Sequence, residues 1–161
     1  MADLGAAFRD AVVDYINSWG ANLEVLKEVN VGARFIGTPR RIDVVVRNKE
    51  NNRYIGIECK VQFSEGTAYE KLPYALDDCE SAPIPAIIAF AGPEIRDDMK
   101  SKMIMSGYGI ELTYDDDGSG NRVLKDPNIL FRQRCYIELG LNWFPFATGQ
   151  KIPSQLSSLG Y

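Results

Sequence analysis

Two short apolar strands that carry charged side chains constrain the fold more than any other feature. They are residues 42–46, Ile-Asp-Val-Val-Val, and residues 54–61, Tyr-Ile-Gly-Ile-Glu-Cys-Lys-Val, joined by a polar turn. Because side chains along a strand alternate between its two faces, Glu58 and Lys60 point away from Cys59. A strand interior holds such charges at a high cost unless they are paired or bind a metal. The two segments therefore predict a hairpin with a charged site on one face.

The same alternation places a second carboxylate near Glu58. On the first strand we expect Ile42 and Val44 to share one face and Asp43 to lie on the other. If the strands pair, Asp43 and Glu58 meet on one face, with Lys60 beside them. Two carboxylates with a lysine suit a divalent cation and a phosphate.

Composition limits the classes of protein and of chemistry. With 161 residues, of which 45% are hydrophobic and 25% charged, the chain is expected to form one globular domain over residues 1–161. No apolar run approaches a membrane span, and the first residues lack a signal-peptide pattern. Three scattered cysteines indicate a reducing, cytoplasmic compartment. The absence of histidine excludes histidine general bases, Ser-His triads and His-ligated zinc.

Basic residues concentrate around the predicted hairpin. The whole chain has a net charge of −4, yet residues 34–62 contain seven basic and only three acidic residues. A local basic patch can hold a phosphate backbone, so Arg34, Arg40 and Arg41 are candidate DNA contacts. Solvated turn residues are the alternative.

The remaining elements follow from periodicity and from turn residues. Residues 4–19 predict an amphipathic helix, and residues 86–90 a strand buried on both faces. Residues 129–139 fit either a strand or a short helix. The other predicted elements are a strand at 23–29, a glycine-containing connection at 31–40, a helix at 67–80, a helix opened by Gly92 and Pro93 and closed by Gly107, and a strand at 110–114.

The element order and the motif Asp43, fourteen intervening residues, then Glu58-Cys59-Lys60 resemble the PD-(D/E)XK nuclease superfamily. The resemblance covers about residues 4–114 and leaves 115–161 as a C-terminal extension. It implies a restriction-endonuclease-like α/β fold, a central mixed sheet flanked by helices in the order α-β-β-β-α-β-α-β. The first helix lacks the glutamate that many members use as a further ligand. Asp10 is the candidate stand-in, with a solvated side chain as the alternative.

The resemblance implies a DNA endonuclease that hydrolyses phosphodiester bonds with Mg²⁺, or with Mn²⁺ as a substitute. Asp43, Glu58 and the carbonyl of Cys59 would be metal ligands, and Lys60 would orient the attacking water or neutralise developing charge. Gln62 would be a further catalytic residue that hydrogen-bonds the phosphate or a water; an exposed strand-end amide is the alternative.

The start of the helix that follows the motif supplies further candidates. Its N-terminus favours a phosphate, which makes Tyr69 and Lys71 candidate contacts, although a packed tyrosine and a solvated lysine remain alternatives.

The resemblance leaves the biological type open. A restriction-like enzyme, a homing-type or phage nuclease and a junction resolvase all fit, and each is expected in the cytoplasm as a prokaryotic or phage-encoded protein. One small domain holds one site, so cutting both strands favours a homodimer or higher oligomer. A catalytically inactive DNA-binding or assembly module on the same fold is the alternative function.

Overall fold

A five-stranded sheet forms the centre of the fold, and helices cover both of its faces. The structure, a computed structural model, describes residues 3–33, 39–62, 68–116, 118, 121–124 and 128–149, with the backbone alone for 68–73 and 116. The elements are α1 (Leu4–Asn17), β1 (Leu23–Ala33), β2 (Pro39–Asn48), β3 (Tyr54–Val61), α2 (Ala68–Glu80), β4 (Ala86–Ala91), α3 (Asp97–Met105), β5 (Gly109–Glu111), β6 (Asp115–Asp116), β7 (Arg122–Val123), α4 (Ile129–Leu139) and α5 (Phe144–Thr148).

The sheet is mixed, as the sequence predicts. Its strand order is β1-β2-β3-β4-β5. The strands β1, β2 and β3 pair antiparallel, whereas β3, β4 and β5 pair parallel, so α2 and α3 act as crossover connections. This arrangement confirms the restriction-endonuclease-like fold class and its order of elements.

Helix α1 forms for local reasons that the sequence already carries. The Asp3 side chain caps it by accepting hydrogen bonds from the N–H groups of Gly5, at 2.9 Å, and Ala6, at 3.2 Å. The helix buries a stripe of apolar residues that includes Phe8 and Ile16. None of the helices in the described ranges has both the length and the apolar character to cross a bilayer.

Two apolar clusters sandwich the sheet. One face packs on α1 and α4, and the other packs on α2 and α3. Strand β4 contributes to both, because Ile87 and Ala89 face the first cluster while Ile88 and Phe90 face the second. All six of its residues are buried, which confirms the strand predicted to be covered on both faces.

Helix α4 is anchored on the turn between β2 and β3. The Leu139 carbonyl, at the end of α4, accepts hydrogen bonds from the side-chain amides of Asn48, at 2.9 Å, and Asn51, at 3.0 Å. Gly140 then ends the helix with φ of 72°, a conformation that glycine adopts without strain. Residues 129–139 are therefore a helix, which settles the alternative that the sequence left open.

Several boundaries differ from the predictions. Strands β1 and β2 extend into the predicted connection at 31–40, and β5 is shorter than predicted. Helix α3 begins at Asp97 rather than at Gly92 and Pro93. Gly92 instead has φ of 114°, and a Cβ there would lie 2.0 Å from the Gln62 carbonyl oxygen, so its backbone packs directly against the end of β3.

An aromatic cage around a buried cation joins α1 to the C-terminal helices. The Arg132 guanidinium lies 5.4 Å from the ring centres of Trp19 and Tyr136 and 5.7 Å from that of Phe146. Its Nε also donates to the Tyr136 hydroxyl at 3.0 Å. Arg132 is only 3% exposed, so these contacts replace its hydration.

We expect Arg132→Ala to lower the free energy of unfolding by about 2 kcal/mol, because the rings lose a desolvated cation and its packed stem. Urea unfolding monitored by tryptophan fluorescence measures this change. The matched control is Arg134→Ala on the same helix, whose part-exposed side chain pairs with Glu138 at 3.2 Å and donates to the Gly107 carbonyl at 2.7 Å. That control should cost less than about 1 kcal/mol. Equal losses in the two variants would contradict the prediction.

Candidate active site

The Asp43 carboxylate takes the place of a main-chain partner where β2 and β3 separate. The register of the two strands runs from Arg47↔Tyr54 to Val44↔Ile57. One residue beyond that last pair, Asp43 Oδ2 accepts a hydrogen bond from the Cys59 N–H at 2.8 Å. The side chain thereby satisfies a strand N–H that would otherwise be unpaired. Asp43 is fixed beside β3 for this structural reason.

One sequence prediction about this strand is wrong. Val44 belongs to the cluster on the α1 side, but Ile42 lies on the α2 side, where it lines a small cavity with Cys79 and Ala86. The two residues therefore do not share a face. The alternation breaks at Asp43, where β2 leaves the ladder with β3.

Asp43 and Glu58 lie together, as the sequence predicts. Burial and, next to it, the negative charge of Asp43 raise the pKa of Glu58 from 4.5 to about 7, while the positive charge of Lys60 opposes the shift. A hydrogen bond between the two carboxyl groups favours the protonated form of Glu58. The pair thus forms a site where one carboxyl group retains a proton near neutral pH unless a cation replaces it.

Cys59 presents its backbone, rather than its thiol, to the two carboxylates. The side chain is 8% exposed and packs in the α1-side cluster, and burial raises the pKa of its thiol. The N–H and C=O of one strand residue point to the same side. Since the Cys59 N–H points to Asp43, its carbonyl lies on that side as well.

Gln62 ends β3 and is buried rather than an exposed strand-end amide. It is 7% exposed, and its N–H donates to the Ala91 carbonyl at 3.1 Å. Its own carbonyl accepts from the Glu94 N–H at 3.3 Å. The end of β3 is therefore held against the segment that follows β4.

Asp10 is bound in ion pairs on the surface of α1. Its Oδ1 lies 3.2 Å from Lys27 Nζ and 3.3 Å from Arg9 Nη2. Burial raises the pKa of Asp10, but the hydrogen bonds to these cations outweigh burial and lower it below its usual value. Within the described ranges, no group of three Cys, Asp or Glu side chains is close enough to bind one metal, so Asp10 does not join Asp43 and Glu58.

The structure gives Arg40 a different role from the predicted DNA contact. Its side chain is 8% exposed and bonds Ser81, at the end of α2, through Nη1 to the carbonyl at 2.7 Å and Nη2 to Oγ at 2.9 Å. Arg40 therefore ties β2 to α2 inside the protein. Arg41, next in the chain, is exposed and lines the same small cavity as Glu58.

Sequence reasoning missed three neighbours of this site. Asp78 and Cys79 of α2 line the cavity with Glu58, and burial together with the charge of Glu58 raises the pKa of Cys79 to about 12. The positive charge of Arg9 reaches Cys59 from α1. A helix after the motif strand was predicted, but no local signal shows which of its faces meets Glu58.

Three predicted contacts cannot be placed. Arg34 lies outside the described residues, and so do the side chains of Tyr69 and Lys71, although α2 includes both positions. They remain predictions from the sequence.

The oxygen donors of Asp43, Glu58 and Cys59 fit a hard divalent cation. Asp43 and Glu58 supply carboxylate oxygens, and the Cys59 carbonyl supplies a neutral one. A cation there would replace the proton that the two carboxyl groups share. Among the described residues the site offers no imidazole, and burial raises the pKa of the Cys59 and Cys79 thiols and keeps them protonated, which argues against softer metals.

Comparison with known protein families identifies a match. The family model of the PD-(D/E)XK nuclease superfamily domain matches residues 5–105, more than half of the chain. Among solved structures, a repair endonuclease from Pyrococcus abyssi is similar, with 12% sequence identity and a TM-score of 0.40. The match covers 79% of this chain and 49% of that chain, so this chain spans about half the length of that protein. No curated protein matches the sequence.

Proposed function

Because the chain belongs to the PD-(D/E)XK nuclease superfamily, we propose that it is a DNA endonuclease that hydrolyses phosphodiester bonds with Mg²⁺. The observation that carries this proposal is the Asp43–Glu58 pair, in which a hydrogen bond joins the two carboxyl groups and Asp43 is fixed on the Cys59 N–H. Burial and the charge of Asp43 favour a proton on Glu58, and a bound cation would replace that proton.

Each residue of the motif has a role that follows from its position. Asp43, Glu58 and the Cys59 carbonyl would hold the cation, which would supply charge neutralisation at the scissile phosphate and at the leaving oxygen. Lys60 follows Glu58 by two residues on the same strand face, and its ammonium orients the attacking water and balances charge in the transition state.

Substrate binding relies on groups around this pair. The exposed guanidinium of Arg41 binds a phosphate of the DNA backbone, and Gln62 hydrogen-bonds the phosphate or a water. Tyr69 and Lys71, at the start of α2, are further proposed contacts. Arg40 acts through Ser81 by keeping α2 against β2, so it positions the site rather than binding DNA.

A catalytically inactive DNA-binding or assembly module is the second candidate. One observation favours it: no third acidic side chain joins Asp43 and Glu58 in the described part of the chain. Such a module would bind DNA with a steep dependence on salt but would leave the strands intact.

Cleavage of labelled DNA tests the two functions directly. We expect the purified protein to cut plasmid or branched DNA with Mg²⁺ or Mn²⁺, to stop when a chelator removes the ion, and to leave RNA of the same sequence intact. A preparation of Glu58→Gln purified in parallel controls for contaminating nucleases. Salt-dependent DNA binding without cleavage under any of these conditions would support the inactive module instead.

The oligomeric state determines which products to expect. Cutting both strands in one encounter favours two sites, which a symmetric dimer or higher oligomer provides, whereas a monomer nicks one strand at a time. Light scattering on the DNA-bound and free protein, together with the ratio of nicked to linear plasmid, tests the proposed homo-oligomer.

A further inference from the structure

A cleft of about 550 Å³ opens at the carboxyl ends of the parallel strands β4 and β5. It begins at Gly92 and Pro93, directly after β4, and continues along residues 112–115, directly after β5. Gly92 packs on the Gln62 carbonyl at the end of β3, so the cleft adjoins the strand that carries Glu58 and Lys60. Parallel strands commonly bind ligands in the crevice at these ends.

The charges that line the cleft are balanced. Lys100 and Arg122 are cationic, Glu111 and Asp115 are anionic, and Lys100 Nζ pairs with Glu111 Oε2 at 2.8 Å. This balance does not suit a chain of phosphates, which needs an excess of positive charge. A neutral lining that still contains a guanidinium suits a ligand with at most one phosphate and a polar, uncharged part.

One wall of the cleft contains the aromatic ring of Tyr114, and hydrogen bonds hold the backbone next to it in place. Tyr114 lines the cleft, and its ring also packs on the Phe8 ring, with ring centres 5.0 Å apart. The preceding residue, Thr113, is held at both backbone groups by the Asn128 side chain, with N–H···Oδ1 at 2.8 Å and Nδ2–H···O at 3.2 Å. The wall is therefore positioned before any ligand arrives.

We propose that this cleft binds one unpaired nucleotide of the DNA, next to the scissile phosphate, with its base stacked on Tyr114 and its phosphate on Arg122. The inference rests on the proposed function, because that function makes DNA the ligand. The volume is typical of sites for small molecules, about 300–1,000 Å³, and too small for a turn of duplex. Aromatic rings stack any base, so the cleft selects unpaired structure rather than sequence.

Binding of DNA that carries the fluorescent base 2-aminopurine tests this site without cleavage. The bases of a single-stranded tail joined to a duplex are replaced one at a time, and binding to the non-cleaving Asp43→Asn variant is measured. We expect quenching at one position next to the duplex junction. Tyr114→Leu in the same background keeps an apolar contact with Phe8, and it should abolish the quenching and weaken binding by about 5- to 100-fold. Tyr114→Phe should behave like the parent.

Substitution of two arginines, one in the cleft and one far from it, provides the second measurement. Arg122→Gln should weaken binding and lower the slope of log affinity against log salt by about one. Arg47→Gln, at the far end of the hairpin where Arg47 pairs with Glu24, should change neither quantity. Unchanged quenching and affinity in Tyr114→Leu, with a melting temperature that shows a folded protein, would overturn the inference. Because cleavage is not measured, this result is separate from a failure of the nuclease proposal itself.

Discussion

Replacing Asp43 with asparagine is expected to lower the rate of DNA cleavage by at least about 1,000-fold, because the substitution removes a charge worth several kcal/mol in the transition state. The fold should survive, since the asparagine Oδ1 can still accept the hydrogen bond from the Cys59 N–H that Asp43 Oδ2 accepts at 2.8 Å. Single-turnover cleavage of labelled DNA and thermal unfolding of the same preparations measure the two effects.

Two further variants separate charge from structure. Asp43→Ala removes the acceptor too, so it should lose activity equally and also lose about 1–3 kcal/mol of stability. Asp10→Asn is the matched control, because Asp10 forms ion pairs with Arg9 and Lys27 on the surface of α1. Full activity in Asp43→Asn would rule out the proposed mechanism. A loss in Asp10→Asn as large as that in Asp43→Asn would make Asp10 the missing third ligand.

Glu58→Gln is expected to abolish Mg²⁺-dependent cleavage and, in the absence of divalent cations, to stabilise the protein at pH 8. Burial and Asp43 raise the pKa of Glu58 from 4.5 to about 7, so the folded protein binds this proton more tightly than the unfolded chain. As pH rises from about 4.5 to about 7, the free energy of unfolding therefore decreases. Glutamine avoids this loss, which is worth up to about 3 kcal/mol above pH 7.

The pH dependence distinguishes this explanation from a general gain of stability. Urea unfolding of both proteins should give equal free energies near pH 4.5, and the difference should grow up to about pH 8. Glu50→Gln, in the exposed turn of the hairpin, is the control and should change stability by less than about 0.5 kcal/mol. A constant difference at all pH values would contradict the prediction. Added Mg²⁺ should stabilise only the wild type, since the cation needs the ionised carboxylate.

The centre of the site follows from short-range sequence patterns. Alternation along residues 54–61 puts Glu58 and Lys60 on the face opposite Cys59, and a tight polar turn makes the hairpin partner unambiguous. The unbroken apolar run at 86–90 specifies the buried central strand in the same way. Predictions of this kind agree with the structure because they depend only on neighbouring residues of the same segment.

Other features depend on contacts between distant segments. Arg40 bonds Ser81, forty-one residues later in the chain, and no local pattern distinguishes such an arginine from a surface contact to DNA. Ile42 changes face because Asp43 bonds the Cys59 backbone instead of continuing the ladder. Helix α3 starts late because Gly92 is packed against Gln62. In each case, the deciding partner lies on a different element.

The anchoring of α4 on the hairpin turn also affects how the protein can be shortened. The family match ends at residue 105, yet Asn48 and Asn51 of the turn bind the Leu139 carbonyl, and Trp19 packs on Tyr136 with ring centres 5.5 Å apart. A fragment cut at the family boundary would expose the apolar side of α1. It would also remove the Leu139 carbonyl, which accepts the hydrogen bonds of the Asn48 and Asn51 side chains. Shortened or grafted versions of the domain should therefore retain the chain through α5, even though the family match stops well before it.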